Sequence, residues 1–295
     1  DLINISSENH GKLSTLFGHS SFILIPIALI YKFFSRPETL VIIQSFSIAL
    51  ACYVFYLIAK DHFKDKIIAI IFLLCLIFYP QLTWIGLADF RPEIFSILFI
   101  FLTFYFIPKN PAYALISFFG AMISSELNPL YGVTLSVYLL FIKRKKLAIM
   151  FFMTGASYFL LFTKVLSPFL SAGEDTRTLN DQYGYFQSLL KTFPSMGTGY
   201  LTKFIDFIKE PVKMELFLRF LNPMFGIPLF NPIFWLIGMP GIFRLLALNI
   251  HTRNFYEPTL IYYVSSLIPI IFFTTLLLIQ KLGKKARLLT VCIFF

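Results

Sequence analysis

Residues 39–59 read TLVIIQSFSIALACYVFYLIA, an unbroken run without a single charge. At about 1.5 Å per helical residue the run rises about 30 Å, the thickness of a bilayer's hydrocarbon core. Lys60 follows its last residue. This stretch predicts a membrane-spanning helix, and it sets the terms for the rest of the chain.

Three further segments have the same length and character: 67–87, 147–166 and 259–280. Shorter apolar stretches occupy 21–34, 92–107, 111–125 and 130–142. Pro92 and Pro111 sit where prolines open helices. The stretch 224–248 is interrupted by Pro228, Asn231-Pro232 and Pro240-Gly241, which predicts two short helices forming a hairpin or re-entrant pair. The whole chain agrees with this reading: 295 residues, 58% hydrophobic, 38 of them Phe, and only 14% charged. Ordinary soluble domains carry about 25% charged residues. The composition excludes both a water-soluble globule and a disordered chain. The expected fold is an all-α polytopic transmembrane bundle forming a single membrane domain over 1–295. Asp1, which is not Met, and the apolar run 288–295 make the chain read as a fragment of something longer.

The net charge of +10 is distributed by position. About half of the basic residues fall in four short loops: 60–66, Lys109, 143–146 and 281–287. Lys and Arg collect on the cytoplasmic side, so these loops are expected there. The positive balance is therefore an orientation signal, and no nucleic-acid footprint is written in it. Alternation then places 88–93, 126–129, 167–223 and 251–258 outside. The 14-residue stretch 21–34 then fits a helix held in the outer leaflet without crossing. Within 167–223, a segment inserted between spans, Leu201, Phe204, Ile205 and Ile208 alternate with Lys203, Asp206 and Lys209 at helical spacing. Met214, Phe217 and Leu221 continue the pattern after Pro211. Amphipathic helices on the outer surface, or a small packed cap, both satisfy it.

Charges beside apolar helices are expensive and mark candidate sites. Asp89-Phe90-Arg91-Pro92-Glu93 joins two spans; Asp89 and Glu93 flank Arg91 and could take a divalent cation or a phosphate, or form an ordinary ion pair. Glu126, in Ser124-Ser125-Glu126-Leu127-Asn128-Pro129, ends a helix of about 22 Å that is short for the bilayer. Its carboxylate is expected to be paired, cation-bound or protonated if it lies below the surface. His19, in Gly18-His19-Ser20-Ser21, could bond a phosphate or cap a helix. Cys52, Cys75 and Cys292 lie in apolar runs with no ligand spacing. No nucleotide loop, nucleophile elbow or zinc motif appears.

Several of these residues together resemble an uncharacterised prokaryotic membrane family, domain of unknown function 2079. Gly18-His19-Ser20-Ser21, Pro26, Tyr31, Pro37-Glu38-Thr39-Leu40 and Gln44 are similar to its opening motifs. Asp89-Phe90-Arg91-Pro92-Glu93 resembles its Asp-Phe-His-Pro-Glu motif, with Arg91 at the His. Ser125-Glu126 resembles its Lys-Glu pair, Tyr183-Gly184-Tyr185 its outer Tyr/Gly motif, and Tyr262-Tyr263 its His-Tyr. The family is grouped with the GT-C superfamily of membrane glycosyltransferases. The resemblance implies a GT-C-like helix bundle, a bilayer-embedded protein using a polyprenyl-phosphate-linked sugar donor at its outer face, and a divalent cation such as Mg or Mn. It implies Asp89 and Glu126 as catalytic acids, Asp89 and Glu93 as metal ligands, and Arg91, His19 and Tyr263 on the phosphate. The main catalytic Asp of such enzymes would lie in a loop upstream. A transporter or flippase, with Glu126 and the broken 224–248 helices lining a path, is the competing class. A non-catalytic membrane subunit is a third.

Overall fold

The computed structural model describes residues 21–87, 89–166, 211–247 and 264–282, and these are helical without a strand. In chain order the helices are α1 (Leu24–Phe33), α2 (Pro37–Phe63), α3 (Lys66–Ile77), α4 (Pro80–Leu87), α5 (Phe95–Phe106), α6 (Pro111–Met122), α7 (Leu130–Phe141), α8 (Lys145–Leu161), α9 (Pro211–Leu221), α10 (Pro232–Ala247) and α11 (Leu267–Gln280). Proline opens α2, α4, α6, α9 and α10, and a 3₁₀ turn Pro92–Ile94 leads into α5. Proline at these positions gives up an N–H that has no helical partner anyway. Side-chain caps complete three of the starts, among them α10, where Asn231 accepts from the Ile233 amide at 3.0 Å. Asp65 accepts from the Ile67 and Ile68 amides before α3, and Asn110 from those of Ala112 and Tyr113 before α6.

Among the described residues, α2 and the α8 span Lys145–Leu166 are long and apolar enough to cross a membrane. The expected span 67–87 is a bent pair instead: α3 and α4 meet at 53° across the break before Pro80. The interrupted stretch 224–248 also differs from the expectation. Its first part forms 3₁₀ turns at Asn222–Met224 and Ile227–Phe230, and α10 then runs continuously through Pro240. The partner of α10 in the hairpin is α9, so the pair straddles the predicted boundary at 223. For the expected span 259–280, the described helix is Leu267–Gln280. The amphipathic pattern at Leu201–Lys209 lies outside the described residues, as does Cys292. The short segment after Ser21 forms α1, whose ten residues rise about 15 Å, too little to cross.

The core is aromatic. Phe55 of α2 meets Phe72 of α3, Phe101 of α5 and Phe272 of α11 at ring-centre distances of 6.4, 5.1 and 5.3 Å. Phe104 and Phe273 stack at 4.1 Å. Helices α7 and α8 approach at Gly132 and Gly155: a Cβ on Gly155 would come within 2.5 Å of the Pro129 carbonyl, and one on Gly132 within 2.7 Å of that of Phe151. Small residues at such a crossing let two backbones touch. Helix α1 is fixed by a smaller cluster of Ile23, Ile27 and Phe95, and by the Ile23 amide donating to the Ile123 carbonyl at 3.1 Å.

The two ends of the bundle are chemically distinct. At one end Lys109 bonds Asp61 at 2.5 Å and lies 3.4 Å over the Tyr105 ring. Desolvation pulls the Lys109 ammonium down, but Asp61 and Tyr105 outweigh it and hold it above the ordinary lysine value. Arg144 donates to the Ile107 carbonyl at 2.5 Å, and Gln280 to that of His62 at 3.3 Å. The opposite end gathers the turn 89–93, the turn 124–129, and the start of α11.

Candidate functional site

The Asp89–Glu93 turn is held from two sides. Gln44, buried on α2, accepts from the Arg91 amide at 3.0 Å and donates to the Ile85 carbonyl at 3.4 Å, so one side chain clamps both limbs of the loop. Ser265, just ahead of α11, donates to the Glu93 carbonyl at 3.2 Å. The aromatic side chain of Phe90 packs against Phe95 and the α1 cluster. The outcome is a division of labour within five residues. Asp89 is exposed, Arg91 is half-buried, and Glu93 is buried at 5% exposure. Asp89 and Glu93 thus occupy different surroundings. Among the described residues no three His, Cys, Asp or Glu side chains are grouped for a metal ion.

The second turn, Ser124–Pro129, is built from its own side chains. Ser124 donates to the Gly120 carbonyl at 2.8 Å, and Asn128 to that of Ala121 at 2.8 Å. These bonds satisfy carbonyls left over at the end of α6. They turn Ser125 and Glu126 inward, where both are buried. Arg244 of α10 meets them there. Its Nη2 lies 2.8 Å from Glu126 Oε1, its Nη1 donates to Ser125 Oγ at 2.5 Å, and the Ser125 hydroxyl donates to Glu126 Oε2 at 3.2 Å. Glu126 and Arg244 are each only 2% exposed. Of the options open to a sunken carboxylate, the fold takes pairing.

Tyr131 extends this network. Its hydroxyl lies 3.1 Å from Ser266 Oγ, and it passes so close to α10 that a Cβ on Gly241 would sit 2.6 Å from it. Ser265 and Ser266 are adjacent, so the start of α11 is tied both to the Glu93 carbonyl and to the Tyr131 hydroxyl, and Tyr131 lies against α10, the helix that carries Arg244. Ser96, one turn beyond Glu93, is also buried, and its hydroxyl finds no hydrogen-bond partner among the described residues.

The fold therefore brings Asp89, Arg91, Glu93 and Glu126 to one end, as the sequence suggests. His19, Tyr263 and the Tyr183-Gly184-Tyr185 motif lie outside the described residues. Arg244 is the residue that sequence reasoning passed over. Its signal is present, as a single base inside the apolar stretch 233–247, the situation in which an ionisable residue marks a function or a partner.

Described residues that are helical without a strand, two helices long and apolar enough to cross a membrane, and a buried ion pair at one end define a helical membrane protein. The chain belongs to the family described as a predicted membrane protein, domain of unknown function 2079, whose model matches residues 3–295. No curated protein and no solved structure matches it.

Proposed function

We propose that the protein is a GT-C-like membrane glycosyltransferase. It moves a sugar from a polyprenyl-phosphate-linked donor to an acceptor hydroxyl at the end of the bundle carrying Asp89. The observation that carries this reading is the exposure of Asp89 on a turn whose backbone is anchored by buried Gln44 and by Ser265. A general base needs access to substrate and a fixed position, and Asp89 has both.

In the proposed step the acceptor oxygen attacks the anomeric carbon of the donor sugar. Its proton passes to the Asp89 carboxylate. The bond from that carbon to the phosphate oxygen breaks, and the lipid phosphate leaves with the electron pair. Arg91, with His19 and Tyr263 on the same phosphate, offsets the charge that builds there. A lone exposed carboxylate suits Mg or Mn, which are commonly bound by one or two carboxylates together with substrate phosphates. Asp89 would hold such an ion, and the ion would neutralise phosphate charge. Glu93, being buried, supports the turn and does not reach that ion. Glu126 enters through Arg244: neutralised and enclosed, it fixes the guanidinium and is not a free base.

Asp89→Asn in the full-length protein should lower transfer from a lipid-linked sugar about 10²–10⁴-fold, the usual contribution of a general base. Thermal stability in detergent should stay unchanged, because Asp89 is exposed. Undiminished transfer would remove Asp89 from the site.

The bent α3–α4 pair favours a second reading, a lipid flippase, since a helix broken within the membrane can line a path. The two separate in proteoliposomes. A transferase makes a new glycosidic bond, whereas a flippase exposes the same headgroup on the other face with no bond changed.

A further inference from the structure

The charged face of α9 reaches a depth at which charge is not tolerated in lipid, and this can be read from registers. The apolar run 39–59 of α2 rises about 30 Å and so fits the hydrocarbon core, with Ala49 at its middle. Ala49 shares one groove wall with Ile77 and Leu82, the residues that flank the α3–α4 break. Gln44 bonds the carbonyl of Ile85, on α4 and eight residues after Ile77, so the register is fixed on the outer side of the break as well. The break itself, with Tyr79, therefore lies close to the bilayer midplane. The Tyr79 ring packs edge-on against Phe272 at 5.2 Å, and Phe272 is midway along α11.

Helix α9 ends at this level. The Tyr79 hydroxyl donates to the Phe220 carbonyl, and the Gln81 amide to that of Arg219. Phe220 and Leu221 are buried there. Beyond them, Asn231 donates to the Thr274 carbonyl at 2.7 Å, so the tip of the hairpin stays at or below the middle of α11. Yet Arg219 and Glu215, paired at 2.5 Å, have side chains that are 63% and 59% exposed. Glu215 is one turn, about 6 Å, further out than Arg219. Arg219 thus stands about 15 Å from the headgroups, half the core thickness and beyond the reach of its side chain. It is also held by Glu215. An exposed ion pair at this depth is stable in water and costly in hydrocarbon. A second observation lies beside it: Gln81 is 6% exposed, and its Oε1 meets no hydrogen-bond donor among the described residues.

We infer that the Glu215–Arg219 face of α9 lines a water-filled recess that reaches the bilayer midplane, floored by Gln81 and the C-terminal carbonyls of α9. Its occupant is water, into which a hydrophilic headgroup can descend. This holds whether the protein transfers a sugar or moves a lipid, and it does not depend on Asp89.

The test is collision accessibility of nitroxide labels in the full-length protein in bilayers, with Cys52, Cys75 and Cys292 replaced by Ala. Labels go on Glu215→Cys and Arg219→Cys, with Phe46→Cys as the reference: Phe46 is 68% exposed on α2 near the same depth. The ratio of nickel-chelate to oxygen collisions should be several-fold higher at 215 and 219 than at 46. A charged, membrane-impermeant methanethiosulfonate should also modify the unlabelled thiols at 215 and 219 at least tenfold faster than that at 46. An oxygen-dominated, lipid-like ratio at 215 and 219 would overturn the recess. So would exclusion of both reagents, which would mean that another protein surface covers α9.

Discussion

Arg244 and Glu126 are each nearly sealed from solvent, and the consequence of removing either follows from what the other is left with. Glu126→Leu or Arg244→Met strands a buried charge, which typically costs about 3–5 kcal/mol. Replacing both, as Glu126→Leu with Arg244→Met, removes the charges together, and such swaps are often neutral. The expected result is a strongly non-additive cycle. Each single variant unfolds at markedly lower temperature in detergent, and the double variant recovers most of the loss. Additive losses would mean that the two groups are not coupled. The hydroxyl of Ser125 divides its bonds between the two partners, so Ser125→Ala should cost less than either single charge variant, about 1–3 kcal/mol.

At the scale of elements, the tightest constraint is the crossing of α7 and α8. A side chain at Gly155 would drive into the Pro129 carbonyl, and backbone cannot move aside as a side-chain tip can. Gly155→Leu should therefore force the helices apart and cost more than the usual 1–3 kcal/mol of overpacking. Gly86→Ala is the control, because its added Cβ meets only Ile48 Cδ1 at 3.7 Å, an ordinary contact. Thermal unfolding monitored by size-exclusion chromatography should separate the two by many degrees, and equal behaviour would refute the close approach. The same elements mark how far the sequence could be read. Helices α2 and α8 were legible from hydropathy alone, and the prolines at 92 and 111 announced helix starts, because both signals are local. The break at Pro80 is local too, but it lay inside a run long enough to cross and was concealed by it. Pro240 misled in the other direction: α10 continues through it, packed between α7 and α11. The pairing of Glu126 with Arg244 joins residues 118 positions apart, and no periodicity records a contact of that kind. The exposed Asp89 and the buried Glu93 carry the same charge in the sequence; only the clamp by Gln44 and Ser265 tells them apart.

At the scale of the molecule, the ends of the bundle follow from side-chain contacts, and their orientation in the membrane follows from charge. Gln44–Arg91 and Ser265–Glu93 tie α2, the turn before α5 and the start of α11 at one end; Asp61–Lys109 and His62–Gln280 tie the same three elements at the other. Helices α2, α5 and α11 thus run parallel, and any orientation assigned to one applies to all three. Lys60, Lys64, Lys66, Lys109 and the run Lys143–Lys146 all sit at the Lys109 end, whereas the opposite end holds Asp89, Glu93 and the Glu126–Arg244 pair. Positive loops of this length stay in the cytoplasm, so the Lys109 end should face inward and the Asp89 end outward. Single cysteines at Lys64 and Lys143, in a background lacking the native three, should react with an impermeant maleimide only after the cells are opened. A cysteine at Asp89 should react in intact cells. If the pattern is reversed, a transfer reaction at Asp89 would have to draw on cytoplasmic donors, and the recess along α9 would open to the cytoplasm instead. If Lys64 and Asp89 react from the same side, α2 does not cross, and the depth assigned to Arg219 fails with it. One labelling experiment therefore bears on the orientation of the site, on the span that sets every depth in the molecule, and on the water expected at its centre.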